Sequence, residues 1–215
     1  MPVTFSVIIP TVGRPSLVYA LKSIAPQLEP GDELLVARNN DGDFGNAARN
    51  DLIARARGSH LVFLDDDDEW VPTALDKMRR FANAYPDKVG IFRLRHEFHR
   101  DVWQRRELGE FGTPMAVVPN VPSKIGKFAR ADVADPLLRA PRTGETMSDV
   151  ALRWSDYEFL RSTLELRGDE PVWVPEVTTI IRPERRWWKR LHYRIKLRTR
   201  LRTFFKRIAQ QRQTS

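Results

Sequence analysis

Three short apolar runs, each separated from the next by a helix-length stretch, restrict what this chain can fold into more than any other feature. Phe5-Ser6-Val7-Ile8-Ile9-Pro10 is almost wholly apolar and rich in β-branched residues. Such a run suits a strand buried on both faces of a parallel sheet. Glu33 to Ala37 and Leu61-Val62-Phe63-Leu64 repeat the signal. Between the first two, Gly13, Arg14 and Pro15 make a turn and Ser16 is a candidate N-cap, ahead of Leu17, Ala20, Leu21 and Ile24 on one helical face. Between the second and third, Asn39-Asn40-Asp41-Gly42 reads as a loop, and Asn46 to Arg57 as a helix with Ala47, Leu52, Ile53 and Ala56 inward. Pro72 can open a further helix carrying Leu75, Met78, Phe81 and Ala82. Alternation of this kind predicts an α/β fold with a mainly parallel sheet, right-handed crossovers and a ligand site beyond the strands' carboxyl ends.

Residues 96 to 148 have scattered Gly and Pro and weak periodicity, which predicts short strands and long loops. Periodicity returns from Trp154 to Leu166 as a helix stopped by Gly168, followed by one strand from Val172 and another near Val177 to Ile181.

At the end of the third apolar run stand Asp65, Asp66, Asp67 and Asp68. Adjacent carboxylates raise one another's pKa unless water or a cation compensates them. Oxygen ligands at a strand tip suit Mg²⁺ or Mn²⁺. A solvated acidic turn leading into the next helix is the other reading these residues allow. In an extended segment, Asp65 and Asp67 would share one side, Asp66 and Asp68 the other.

Several segments, in order, resemble the family 2 glycosyltransferases of the GT-A fold, and the likeness covers most of residues 4 to 182. Ser6-Val7-Ile8-Ile9-Pro10-Thr11, then Arg14, then Leu21-Lys22-Ser23-Ile24 with Gln27, look like the family's first strand and helix. Gly45-Asn46-Ala47-Ala48-Arg49-Asn50 resembles the helix beside the donor, and Val62 to Asp68 with Trp70 and Pro72 resembles the metal motif. The resemblance implies a Rossmann-like, mainly parallel sheet flanked by helices over residues 1–183. It implies inverting transfer of a hexosyl or related sugar from a nucleotide-diphosphate donor to a hydroxyl acceptor, with Mn²⁺ or Mg²⁺. By the same likeness Asp67 would hold the cation with Asp65, which also reaches the donor's ribose or the cation's water shell, and Asp68 would support them. Thr11, Arg14, Arg49, Asn50 and Asp66 are further candidates on the donor side. Within Trp154-Ser155-Asp156-Tyr157, Asp156 matches the general base that takes the acceptor hydroxyl's proton.

Three departures bear on that transfer of roles. The family has acidic residues after the second strand, where this chain has Arg38-Asn39-Asn40-Asp41, so the donor base is open and Arg38 would shift the preference or meet a phosphate. Ser155 stands where the family commonly has Glu. No His follows Ile181-Arg182-Pro183, since His192 lies further on, and His96 and His99 lack the spacing of a zinc-protease helix.

The formal charge of +8 is unevenly placed. Arg182 to Arg212 holds 13 Lys or Arg against Glu184 alone, a net +12, which leaves the preceding body at −4. Residues 184–215 read as a basic amphipathic helical extension, with Trp187, Leu191, Leu201, Phe205 and Ile208 on one side and Trp188, Ile195 and Phe204 at its margins. Such a segment suits an anionic membrane surface, a location from which a transferase acting on a lipid-linked acceptor would gain, while the acceptor itself, lipid-linked, saccharide or protein, stays open. Nucleic-acid contact, self-association and packing of Trp187 and Trp188 on the body are the competing readings. The start shows no secretory signal, and no cysteine is present for a disulfide, thiolate metal site or nucleophile. A cytoplasmic protein, peripheral on the inner face of the membrane, is the resulting expectation.

Two other functions compete. A nucleotidyltransferase would need a Gly-rich phosphate loop after the first strand, and Thr11-Val12-Gly13-Arg14-Pro15 has one glycine. A nucleic-acid binder with a basic tail would set an acidic body, including residues 65 to 69, against a phosphate backbone.

Overall fold

The fold is that of a computed structural model, which describes residues 2–38, 43–96, 101–102, 112–128 and 155–181. Met1–Arg182 gathers into one compact unit, and the other, Pro183–Ser215, lies outside the described residues together with the loop at 39–42, His99 and Trp154. Among the described residues eight strands form one sheet: β1 (Phe5–Thr11), β2 (Glu33–Arg38), β3 (His60–Phe63), β4 (Glu69–Trp70), β5 (Gly90–His96), β6 (Asp101–Val102), β7 (Ala116–Pro119) and β8 (Val172–Ile181). Among the described residues four helices flank it: α1 (Leu17–Ile24), α2 (Asn46–Arg55), α3 (Ala74–Ala84) and α4 (Ser155–Arg167).

The strand order is β2-β1-β3-β7-β5-β8-β4, with β6 beside β5. Strand β1 is parallel to both β2 and β3, and β5 is parallel to β8, while β4, β6 and β7 run the other way. The chain goes from β1 out to β2 and returns to the far side of β1 as β3. That reversal opens a crevice at the carboxyl ends of β1 and β3.

Why β1 is apolar throughout follows from this position. Phe5, Val7 and Ile9 pack with α1 and α3 through Ala20, Ile24, Leu75 and Met78. Ile8 faces the opposite layer, with Leu52 of α2 and Phe159 and Leu160 of α4. The same alternation runs through β3 and the residue after it, where Leu61 and Phe63 join one layer and Val62 and Leu64 the other. Phe63, Phe128 and Phe159 form a ring cluster, with Phe128 and Phe159 stacked at 4.3 Å between centroids.

Several local expectations change. Ser16 stands at the N-cap of α1 with helical backbone and no side-chain capping bond; only its carbonyl accepts from Tyr19 and Ala20 N–H. In α2 it is Ala48, rather than Ala47, that is buried among the inward residues. The stretch 172–181 is one strand, not two. Its pairing with β5 slips from Phe92–Val174 to Arg93–Val177, because Pro175 has no N–H to offer the ladder and the extra residues bulge. Strand β5 itself has no counterpart among the sequence expectations. Gly168 does end α4, in the left-handed conformation at φ +66°, with its N–H and that of Asp169 closing on Leu164.

Candidate active site

The aspartate run does not continue as a strand. Asp68 N–H donates to the Asp65 carbonyl at 3.2 Å, so residues 65–68 form a tight turn and the strict left-right alternation of an extended segment is lost. The turn is pinned from behind. Trp70 N–H donates to Ser23 Oγ at 3.0 Å, and the Gln27 side chain reaches both the Val71 carbonyl and the Leu75 N–H.

Each carboxylate therefore meets different partners. Asp66, only 3% exposed, turns to the tip of β1. It accepts the Thr11 hydroxyl at 2.6 Å, Val12 N–H at 3.3 Å and Arg14 Nη1 at 2.8 Å. Arg14 also reaches Asp67 Oδ2 at 3.3 Å. Asp65 accepts Arg49 Nη2 at 2.5 Å. Oxygens of Asp65, Asp67 and Asp68 lie within 4.8 Å of one another. An octahedral ion with metal–oxygen bonds of about 2.1 Å spreads its ligands over roughly 4.2 Å, so a small closure of these side chains would enclose one. All three offer hard oxygen donors, which fit Mg²⁺ or Mn²⁺. Asp68 thus joins the pair expected from the sequence.

Helix α2 supplies the second wall. Asp43 accepts N–H groups of Gly45 at 2.8 Å and Ala47 at 2.7 Å, which satisfies part of the helix's first turn. Asn46 and Arg49, three residues apart, then share one face. Arg49 is 5% exposed, donates to the Phe44 carbonyl at 2.8 Å, and lies 5.2 Å from the Phe128 ring centroid. Asn50, next along the chain, points elsewhere: its amide donates to the Phe128 carbonyl at 3.1 Å and accepts Phe128 N–H at 2.9 Å. It holds the 112–128 segment and does not line the cleft. Arg38 does not line it either. It is exposed at the end of β2, in register with Thr11, its guanidinium against Gly13.

The amino end of α4 closes the third wall. Ser155 Oγ donates to Asn46 Oδ1 at 2.6 Å, both residues being buried, so the starts of α2 and α4 are tied together. Asp156 then faces the cleft, accepting Thr113 N–H at 3.1 Å. Burial raises its pKa above the ordinary carboxylate range; Arg49 opposes the rise, Asp65 adds to it, and the Thr113 hydrogen bonding opposes it. The result is a carboxylate with more basicity than a surface aspartate.

Thr11, Arg14, Arg49, Asp65, Asp66, Asp67 and Asp156 all line one cleft of about 310 Å³, a volume suited to a small ligand. Asn46 and Ser155 line it as well. Sequence reasoning passed over Asn46, although its spacing from Arg49 on a helix was a usable signal. Gly112 and Thr113, in the poorly patterned middle of the chain, carried none.

The model of the family described as glycosyl transferase family 2 matches residues 31–135. No curated protein matches the chain. Among solved structures, S. aureus TarS is similar over 85% of this chain and 37% of its own, at 14% identity and a TM-score of 0.59. TarS 1–349 in complex with UDP-GlcNAc is similar over 86% and 60%, at 14% identity and a TM-score of 0.56. TarS 1–349 in complex with UDP gives 84% and 60%, at 15% identity and a TM-score of 0.51. The chain therefore spans between 37% and 60% of the length of these structures. At this identity the likeness concerns the fold.

Proposed function

We propose, from the match to the glycosyl transferase family 2 model over residues 31–135 and the fold shared with TarS, that this cleft transfers a sugar from a nucleoside-diphosphate donor to a hydroxyl acceptor with inversion. One observation supports this more than any other: Asp65 and Asp67, clustered with Asp68, line the same cavity as Asp156, which comes from a distant part of the chain. A single displacement needs such a pair of functions, one for the leaving group and one for the incoming hydroxyl.

In our reading Asp65 and Asp67, with Asp68, hold Mn²⁺ or Mg²⁺, which when bound supplies positive charge against the departing diphosphate. Thr11 and Arg49 shape the donor side. Asp156 accepts the acceptor hydroxyl's proton while its oxygen attacks the sugar C1, and the bond from C1 to the diphosphate oxygen breaks on the opposite face. Thr113 N–H orients that carboxylate. Asn50 contributes by fixing Phe128 beneath Arg49. Arg38 stands where the donor base is read in the family, and we leave UDP and its sugars as first probes because TarS structures contain UDP and UDP-GlcNAc.

We further propose that the +12 segment at Arg182–Arg212 places the enzyme on the cytoplasmic face of an anionic membrane, near a lipid-linked acceptor. Among the described residues no helix is long and apolar enough to cross a bilayer. Truncation after Pro183 should release the protein from vesicles containing phosphatidylserine; equal binding without the segment would remove this part of the proposal. For the catalytic part, Asp67→Ala should abolish cation-dependent UDP release from UDP-sugars, and Asp156→Asn should retain UDP binding while losing transfer. Full turnover in excess chelator would overturn the cation's role. The nucleotidyltransferase and nucleic-acid readings give way to the family match over residues 31–135.

A further inference from the structure

Two arginines sit on the aspartate turn, and they differ in freedom. Arg49 has a side chain 6% exposed, bonded to the Phe44 carbonyl and resting near the Phe128 ring. It cannot leave Asp65 without opening a packed wall. Arg14 has a side chain 50% exposed, and its guanidinium bonds only Asp66 and Asp67 among the described residues. Asp66 would not be stranded by its departure, since the Thr11 hydroxyl and Val12 N–H still donate to the same carboxylate.

We propose that Arg14 competes with the divalent cation for Asp67 and turns to the donor's diphosphate once the cation is bound, coupling the two ligands through one side chain. This rests on the reading that Asp67 is a cation ligand. A guanidinium 3.3 Å from Asp67 Oδ2 and a dication on the same carboxylate repel strongly at that range. Only the half-exposed arginine can yield. Its planar fork matches phosphate oxygens, and the diphosphate brings the negative charge that Asp67 then spends on the cation. The cation alone is thereby disfavoured, and the cation with diphosphate is favoured.

The coupling predicts opposite signs for one substitution. In the full chain, Arg14→Gln should bind Mn²⁺ alone about fivefold more tightly, measured by the loss of the free-ion electron paramagnetic resonance signal. At saturating Mn²⁺ the same variant should bind UDP at least about tenfold more weakly by calorimetry, because a charged hydrogen-bond donor is gone. Arg14→Lys, which keeps the charge, should leave Mn²⁺ affinity within about twofold of wild type, and it serves as the folded control. A wild-type chain that binds no Mn²⁺ even with UDP overturns the cation reading and the coupling with it. A wild type that binds Mn²⁺, with Arg14→Gln binding it no more tightly, overturns the coupling alone.

Discussion

Gly45→Ala tests how the cleft is built, because one methyl group probes both backbone conformation and packing. Gly45 precedes α2 at φ +81°, a left-handed conformation that costs an L residue about 1 to 2 kcal/mol. A Cβ there would also lie 2.6 Å from Pro10 Cβ and 3.2 Å from Pro10 Cγ. Pro10 is buried in β1 and in register with Ala37 of β2, so it has little room to retreat. Overpacking of that kind adds about 1 to 3 kcal/mol, for a total of roughly 2 to 5 kcal/mol. Gly168→Ala isolates the first part, since Gly168 has φ +66° and nothing within 4 Å of the added methyl. In a domain of this size each kcal/mol shifts the melting temperature by about 2 to 4 °C. Thermal melts followed by circular dichroism should therefore show a loss of roughly 4 to 20 °C for Gly45→Ala and clearly less for Gly168→Ala. Function should follow only the first. The Gly45 carbonyl accepts Arg49 N–H at 2.9 Å, so a displaced turn moves Arg49 and weakens UDP binding. Equal destabilisation by the two alanines would refute the packing argument.

Further tests address the carboxylates and the buried His60. The acid limb of the transfer rate should lie above the ordinary aspartate range of about 4, because Asp156 works deprotonated and burial raises its pKa; a limb at or below that range would count against it as the base. Gly112→Ala would put a methyl 3.0 Å from Asp156 Oδ2, so kcat should fall about tenfold or more while UDP affinity stays unchanged in calorimetry. His60, buried and hydrogen-bonded to the Pro86 carbonyl, has its pKa pushed down chiefly by burial. The unfolded chain then binds the proton more readily, so stability falls as pH drops from about 6.5 towards the lower folded value. Urea unfolding between about pH 7 and 5.5 should show that slope, and His60→Gln should flatten it.

How much of this could be read from residues alone differs by element. The two-sided burial of β1 and β3 was legible because an unbroken apolar run has few other stable placements. The stop at Gly168 was legible because its cause is local. Strand β5 was not, since Arg93 and Arg95 interrupt the continuous apolar run that marks β1 and β3, yet the strand is held by β7 on one side and β8 on the other. The bulge at Pro175 likewise exists only relative to a neighbour. Arg49 and Asn50 make the point within the site. Adjacent in sequence, they looked equivalent, but helical rotation turns one to Asp65 and the other to the backbone of Phe128, 78 residues away. Composition and period specify which groups must be buried and what chemistry they carry. Which partner each one meets depends on the docking of distant surfaces, and that energy is not contained in any local stretch of the chain.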